Sequence, residues 1–334
     1  MNKNLKEERT LRNKNANQNL SFEALMAKMN ELLSQKSFTP ENVDVKRLSP
    51  LVFFCYAPRS GSTLLAQTLT RTQSFSYISN FTARFWEAPY LALQLEKQLA
   101  IRDTGLRSGE VERSKYGVTA GLSEPHEFGF FWNKLLTSDD NHWIDSSKLD
   151  PDRISEFVET VNGLRSVFDK PFFFKNGIAG YNARFMRQLF PDAKFVIIDR
   201  DPLYILQSIY MARKELYNDP KMWWSIRTKD VKEIIEQSGN EFDEIALQIK
   251  SVYSEIEDAL DGNDDNVLHV TYEDFCSAPN QVISNILNLC SIQPNGALIT
   301  KIPKFIESSN ERKVDTSTFE QMKSSILKFK SSEL

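Results

Sequence analysis

This sequence lacks paired cysteines, an excess of positive charge and long apolar runs. Its three cysteines, Cys55, Cys276 and Cys290, are an odd number with no close spacing. Such a set fits neither a disulfide framework nor a zinc site, so it favours a reducing, cytoplasmic location. No apolar run reaches the length that spans a bilayer, and no signal-peptide core follows the basic N-terminal residues. We therefore expect no membrane association.

The formal net charge of -4 at pH 7 argues against a general nucleic-acid binder, which would carry a strong basic excess. The 41 lysines and arginines are still enough for a local pocket that binds a small polyanion. A hydrophobic fraction of 41% and a charged fraction of 26% are ordinary for a globular protein. A chain of 334 residues is long enough for one large α/β domain or two smaller ones.

The N-terminal part of the chain differs in composition from the rest. Residues 1–20 are polar and rich in Asn and Lys, which predicts a disordered tail. Apolar residues then recur at helical spacing between Phe22 and Leu33, which predicts an amphipathic helix. No internal repeat or low-complexity linker follows, so we expect residues 21–334 to form a single domain.

From Leu51 onward, apolar runs alternate with helical patterns. The continuous run 51–56 is typical of a buried strand in a parallel sheet. The other predicted strands are 143–145, 171–175, 195–199 and 267–271. The predicted helices are 62–70, 154–167, 182–189, 204–214 and 242–260. This alternation predicts an α/β fold in which helices flank both faces of a parallel sheet, giving three layers.

Residues 77–141 interrupt the alternation and are rich in aromatic side chains. Insertions after the first strand and helix of an open α/β sheet often cover the ligand crevice at the carboxyl ends of the strands. The stretch therefore predicts a helical, aromatic-rich cap that helps to form an acceptor pocket. For any single aromatic residue, a place in a small core of the cap is an equally good explanation.

The turn after the first predicted strand, Ala57-Pro-Arg-Ser-Gly-Ser-Thr63, has the composition of an anion-binding loop. Backbone N–H groups at the start of a helix point at one spot and favour negative charge there. Gly61 allows the backbone to approach the anion, and Arg59 adds a planar, charged donor fork. The predicted anion-binding residues of this loop are Arg59, Ser60, Gly61, Ser62 and Thr63.

This loop is not a Walker A motif, which needs G-x-x-x-x-G-K-[ST]. Ser62 stands where that motif has its lysine, and Tyr56 stands where it has its first glycine. The anion site is therefore present without the lysine of an ATPase. Two functions other than the one favoured below are compatible with such a loop. One is a P-loop nucleotide kinase or NTPase, because Val196-Ile-Ile-Asp199 resembles a Walker B strand. The other is a non-catalytic nucleotide-binding protein that is related to these enzymes.

The segment Ala57-Pro-Arg-Ser-Gly-Ser-Thr-Leu-Leu65 resembles the 5'-phosphosulfate loop of sulfotransferases that use 3'-phosphoadenosine 5'-phosphosulfate (PAPS). The resemblance is to the Arg-bearing form of tyrosylprotein and many bacterial members. Residues 190–202 with Ser208 are similar to the family's 3'-phosphate segment, which implies that Arg200 and Ser208 bind that phosphate. Residues 270–275 resemble a late structural turn of the family. Together these matches cover about residues 50–290 and imply a P-loop-NTPase-like sulfotransferase fold.

The resemblance implies in-line transfer of a sulfuryl group from PAPS to a hydroxyl or amine. Such a reaction needs a general base, a positive loop and a cation at the leaving oxygen. Lys175 ends a predicted strand and matches the family's lysine at the bridging oxygen. Arg312, in a late polar segment, is a candidate for covering the 3'-phosphate, although a solvated charge run explains it equally well. No metal is expected, because a sulfuryl group carries less charge than a phosphoryl group.

The general base is less well indicated by the sequence. Gly177 stands where cytosolic members have a histidine, and Asn80 stands where tyrosylprotein members have a glutamate. His126 is one candidate, since its usual pKa suits proton removal and Glu124 or Glu127 could orient it. Glu87 is the other candidate. The expected acceptor is a small molecule, a glycan or a peptide, and the oligomeric state stays open.

Overall fold

The computed structural model describes residues 20–34, 43–102, 117, 119–260, 264–293 and 302–330. The tail predicted at residues 1–20 lies outside the described residues, except for Leu20, which begins a helix.

Within the described residues, five strands form one sheet in the order β2-β3-β1-β4-β5, and every pairing is parallel. The strands are β1 (Leu51–Tyr56), β2 (Ser76–Tyr77), β3 (Phe172–Phe174), β4 (Lys194–Asp199) and β5 (Val267–Thr271). In the register of the sheet, Phe53 of β1 lies opposite Phe174 on one side and Phe195 on the other. The carboxyl ends of these strands therefore meet at one edge of the sheet, which is where ligands bind in open α/β folds.

The central strand β1 is apolar along its whole length because both of its faces are covered. All six of its residues are buried. Phe53 stacks on Phe174 and Phe195 on one face, with ring centroids 5.8 Å apart in each case. Phe54 stacks on Phe173 on the other face, at 5.2 Å. Two hydrophobic cores thus sandwich the sheet, which confirms the predicted three-layer α/β fold.

Helices cover both faces of the sheet. Those from the N-terminus to β3 are α1 (Leu20–Leu33), α2 (Ser62–Arg71), α3 (Pro89–Gln98), α4 (Gly129–Asn133) and α5 (Pro151–Val167). Those from β3 to β5 are α6 (Gly177–Tyr181), α7 (Ala183–Leu189), α8 (Pro202–Tyr217), α9 (Val231–Gln237) and α10 (Glu241–Ala259). Those that follow are α11 (Tyr272–Ser277), α12 (Pro279–Leu289) and α13 (Thr316–Lys330). The helices predicted from periodicity are confirmed, with boundaries that differ by up to three residues.

The strand predicted at 143–145 is wrong, because side chains bind the backbone N–H groups that a neighbouring strand would need. The amide of Ile144 donates to Asn182 Oδ1 at 2.8 Å, and that of Asp145 donates to Thr137 Oγ1 at 3.1 Å. The edge strand β2 has two residues, too few to form a recognisable sequence pattern.

The aromatic stretch 77–141 divides into two groups of side chains. Phe131 and Trp132 are buried and pack against the central core, with the Trp132 ring 5.0 Å from that of Phe174. Trp86 and Phe130 instead stack on each other at 4.7 Å, and Phe130 is 53% exposed. The core therefore accounts for the first pair, whereas in the second pair Trp86 is partly buried against that core and Phe130 lies at the surface.

Candidate active site

The loop between β1 and α2 has two residues in the left-handed region of backbone space. Arg59 has a φ of 74° and Gly61, the N-cap of α2, has a φ of 94°. A Cβ atom at Gly61 would lie 2.5 Å from Cδ2 of Tyr272, so a side chain has no room there. The turn brings the amino end of α2 to the carboxyl edge of the sheet, where its free N–H groups favour an anion.

The structure brings Arg59, Arg200 and Ser208 together. Arg59 Nε donates to Ser208 Oγ at 2.8 Å, and Arg200 Nη1 donates to the backbone oxygen of Arg59 at 2.8 Å. These residues come from the loop, from the end of β4 and from α8, which meet at the same edge of the sheet. Two guanidinium groups and a hydroxyl beside a helix terminus form a site suited to phosphate or sulfate oxygens.

Arg200 is largely withdrawn from water. Its guanidinium lies 4.3 Å from the ring centroid of Tyr272, and burial lowers its pKa from the usual value. A buried cation with little hydration interacts strongly with an anion that reaches it.

The late polar segment 308–313 contacts Arg200 through residues that the sequence did not indicate. Arg200 donates to Asn310 Oδ1 from Nε at 2.8 Å and from Nη2 at 2.7 Å, and to Ser309 Oγ at 3.1 Å. Asn310 in turn donates to Glu273 Oε1 at 2.6 Å. The side chain of Arg312, which the sequence suggested for this role, donates to Thr316 Oγ1 at 2.7 Å.

Lys175 lies directly after β3 and its side chain is fully buried. Its Nζ lies 3.0 Å from Glu127 Oε1, while the Glu127 side chain is 46% exposed. The two atoms do not meet with hydrogen-bond geometry, so within the described residues the ammonium has an ion pair but no hydrogen bond. A buried ammonium in this state retains the capacity to bind another oxygen.

Glu127 lies beside the anion-binding loop. Its Oε1 is 3.1 Å from the point where a Cβ on Gly117 would lie, and Thr63 Oγ1 is 3.9 Å from the same point. Burial and, next, the charge of Glu127 raise the pKa of Tyr56 at the end of β1. Asn176 donates to the backbone oxygen of Glu127 at 2.7 Å and thereby fixes this segment against the end of β3.

The two bases suggested by the sequence make contacts elsewhere. His126 is exposed, and its Nδ1 accepts a hydrogen bond from the amide of Phe128 at 2.8 Å. Glu87 forms an ion pair with Lys134, and its amide donates to Asn30 Oδ1 at 3.0 Å. The acidic side chain that the structure places at Lys175 is that of Glu127.

The described residues contain no group of three or more His, Cys, Asp or Glu side chains placed to hold a metal ion. None of the helices they form combines the length and the apolar character needed to cross a bilayer.

A family model described as "Sulfotransferase family" matches residues 50–295, which is well over half of the chain. No curated protein sequence matches significantly.

Two solved structures share this architecture. Sulfotransferase STF1 from Mycobacterium tuberculosis H37Rv superposes with a TM-score of 0.52 at 16% identity, over 88% of this chain and 81% of that one. Sulfotransferase STF9 from Mycobacterium avium superposes with a TM-score of 0.51 at 14% identity, over 86% of this chain and 78% of that one. At these identities the likeness concerns the fold.

Proposed function

This chain belongs to the sulfotransferase family, and from that premise we propose that its sulfuryl donor is PAPS and that its acceptor is a hydroxyl or an amine. The observation that carries the proposal is the cluster of Arg59, Arg200 and Ser208 beside the amino end of α2. Two guanidinium groups, a hydroxyl and a helix terminus supply enough positive charge and hydrogen-bond donors for a ligand with anionic groups at both its 3' and 5' positions.

The residues present fit such a donor. Ser60 Oγ and Lys175 Nζ are buried and make no hydrogen bond within the described residues, so both groups are available to the oxygens of a ligand. In the proposal, residues Ser60 to Thr63 and Arg59 hold the 5'-phosphosulfate. Arg200 and Ser208 hold the 3'-phosphate, and the segment that carries Arg312 closes over it.

PAPS supplies an electrophilic sulfur bonded to a phosphate leaving group. The chain must then stabilise the charge that develops on the departing oxygen, and Lys175 is the cation proposed for this task. It must also remove a proton from the acceptor. His126 and Glu87 are the bases proposed from the sequence, and the structure adds Glu127 beside Lys175.

The stacked pair of Trp86 and Phe130, whose Phe130 is exposed, supports an acceptor with a flat or apolar face. We propose a small molecule, a glycan or a peptide side chain rather than a nucleic acid, in keeping with the net charge of -4. The three cysteines are free and buried, which supports the proposal of a reducing, cytoplasmic location.

Calorimetric titration with adenosine 3',5'-bisphosphate, AMP and ATP tests the donor. We expect the bisphosphate to bind at least about tenfold more tightly than AMP, since Arg200 and Ser208 contact only the 3'-phosphate. Arg200→Ala should remove that difference and leave the affinity for AMP nearly unchanged. Tight binding of ATP with no binding of the bisphosphate would refute the proposal and favour a kinase or NTPase.

A further inference from the structure

We infer that Glu127 is the general base, and that the donor activates it by drawing Lys175 out of their ion pair. This inference rests on the proposed function, because it requires an anionic donor at Lys175. It also goes further, because it assigns the proton acceptor and makes that residue's reactivity depend on donor binding.

The Glu127 carboxylate is well placed for this role. Its Oε1 lies 3.0 Å from Lys175 Nζ, and both this atom and Thr63 Oγ1 of the loop lie within 4 Å of the Cβ position at Gly117. The reacting sulfur must lie between the loop and Lys175, so a carboxylate at this place borders the path by which an acceptor approaches. At 46% exposure the Glu127 side chain is also open to an acceptor arriving from solvent.

Electrostatics supports the same assignment. Among the described residues, the Glu127 carboxylate forms an ion pair with Lys175, and its charge acts on Tyr56. Tyr56 stays neutral, because burial raises its pKa. Lys175, fully buried at the carboxylate, stabilises the ionised form of Glu127.

This ion pair makes Glu127 a weak proton acceptor while the donor is absent. When an anionic donor binds, its oxygens compete for the Lys175 ammonium. The carboxylate then loses a positive neighbour and gains a negative one, which increases its affinity for a proton. The base is therefore strengthened in the state in which an acceptor can react, and an acceptor bound alone is not deprotonated.

In the proposed step, the acceptor O–H or N–H bond breaks and its proton moves to a carboxylate oxygen of Glu127. The acceptor's electron pair forms the new bond to sulfur. The bond from sulfur to the bridging oxygen breaks, and its electron pair leaves on the 5'-phosphate, next to Lys175. The products are the sulfated acceptor, adenosine 3',5'-bisphosphate and a protonated Glu127, which returns its proton to solvent.

Glu127→Gln tests the assignment, with Glu156→Gln on the exposed face of α5 as the matched control. Sulfuryl transfer is followed with radiolabelled PAPS and a panel of phenols, alcohols, sugars and amines. We expect Glu127→Gln to lower kcat by about 10²-fold or more, the range for loss of a general base, and Glu156→Gln to leave it unchanged. A loss of kcat confined to His126→Asn, with Glu127→Gln near wild type, would overturn the inference.

Binding supplies readouts that do not depend on turnover. Glutamine keeps the size of Glu127 but no longer attracts Lys175, so Glu127→Gln should bind the bisphosphate more tightly than the wild type, by several-fold. Titration in two buffers of different ionisation enthalpy gives the protons taken up on binding. At about pH 5, near the usual range of a carboxyl group, the wild type should take up more protons than Glu127→Gln.

These outcomes separate the inference from the proposed function. If the wild type does not bind the bisphosphate at all, the proposed donor is wrong and the inference falls with it. If the wild type binds it and Glu127→Gln binds it more weakly, or takes up the same number of protons, the donor stands and the activation of Glu127 is refuted.

Discussion

Substitution of Gly61 by alanine tests how the anion-binding loop is built. Gly61 has a φ of 94°, and an added Cβ would lie 2.5 Å from Cδ2 of Tyr272 and 3.1 Å from its Cε2. The Tyr272 ring cannot easily move away. Its hydroxyl accepts a hydrogen bond from the amide of Ser309 at 2.9 Å, and its face lies 4.3 Å from the Arg200 guanidinium.

The size of the effect follows from two costs. An alanine in the left-handed region costs about 1–2 kcal/mol relative to the right-handed form. Forcing an extra carbon into a packed site costs about 1–3 kcal/mol more. We therefore expect Gly61→Ala to lower the free energy of unfolding by about 2–5 kcal/mol. Because the displaced Tyr272 ring packs on Arg200, we also expect the affinity for the bisphosphate to fall.

Urea unfolding and calorimetry measure these two effects, and Gly129→Ala is the matched control. No atom lies within 4 Å of the Cβ position at Gly129, which begins the helix α4. Alanine should be neutral or slightly stabilising there, since glycine is unfavourable within helices. If Gly61→Ala proves as stable as Gly129→Ala and binds the bisphosphate normally, the inferred contact between the loop and Tyr272 is wrong.

Three further substitutions give expected outcomes. Lys175→Met should abolish transfer yet raise the melting temperature, because it removes a buried charge; a lower melting temperature would contradict this. Asn310→Ala should bind the bisphosphate several-fold more tightly in calorimetry, because Asn310 Oδ1 accepts hydrogen bonds from Arg200 that the 3'-phosphate would otherwise accept. Weaker binding would instead indicate that Asn310 itself contacts the bisphosphate. Burial alone would raise the pKa of Asp243, but the hydrogen bond from Lys328 helps to lower it below its usual value. The ionised Asp243 therefore stabilises the folded protein at neutral pH, and this contribution is lost as the pH falls. Asp243→Asn should therefore destabilise the protein in urea unfolding at pH 7 but much less at about pH 3, and equal effects would refute the linkage.

The sequence predicted the sheet well where strands are buried on both faces. The run 51–56 coincides with β1, all of whose residues are buried. Such a strand carries its signal in its own residues, since every position must be apolar. The run 267–271 also coincides with β5, an edge strand of mixed burial. The segment 143–145 has a similar local composition, but its backbone hydrogen bonds go to the distant side chains of Asn182 and Thr137. No local pattern encodes those partners.

The cluster of Arg59, Arg200 and Ser208 has a topological basis. Arg59 and Arg200 follow strands that are neighbours in a parallel sheet, and Ser208 lies on the helix after the second strand. The carboxyl ends of parallel strands lie at the same edge, so an α/β fold with these two strands adjacent brings the three residues together. The positions of Asn310 and Glu127 in the chain do not indicate in this way that they lie near the cluster. Glu127 lies in an irregular segment that Asn176 holds at the end of β3 through a long-range hydrogen bond.

Two of the cations proposed for the donor are engaged in contacts within the chain itself that the donor must replace. Lys175 is paired with Glu127, and Arg200 donates to Asn310. Donor affinity is therefore a difference between the new contacts and these internal ones. The described contacts of the two pairs have no member in common, so their contributions should be nearly independent.

A double variant tests this independence. If Glu127→Gln and Asn310→Ala each tighten bisphosphate binding, the gains should multiply in the combined variant, as calorimetry at one salt concentration would show. A combined gain well below the product would mean that the pairs are coupled, and Arg59 is the candidate link because Arg200 donates to its backbone oxygen. Agreement with the product would show that the chain restrains its donor site at two separate places.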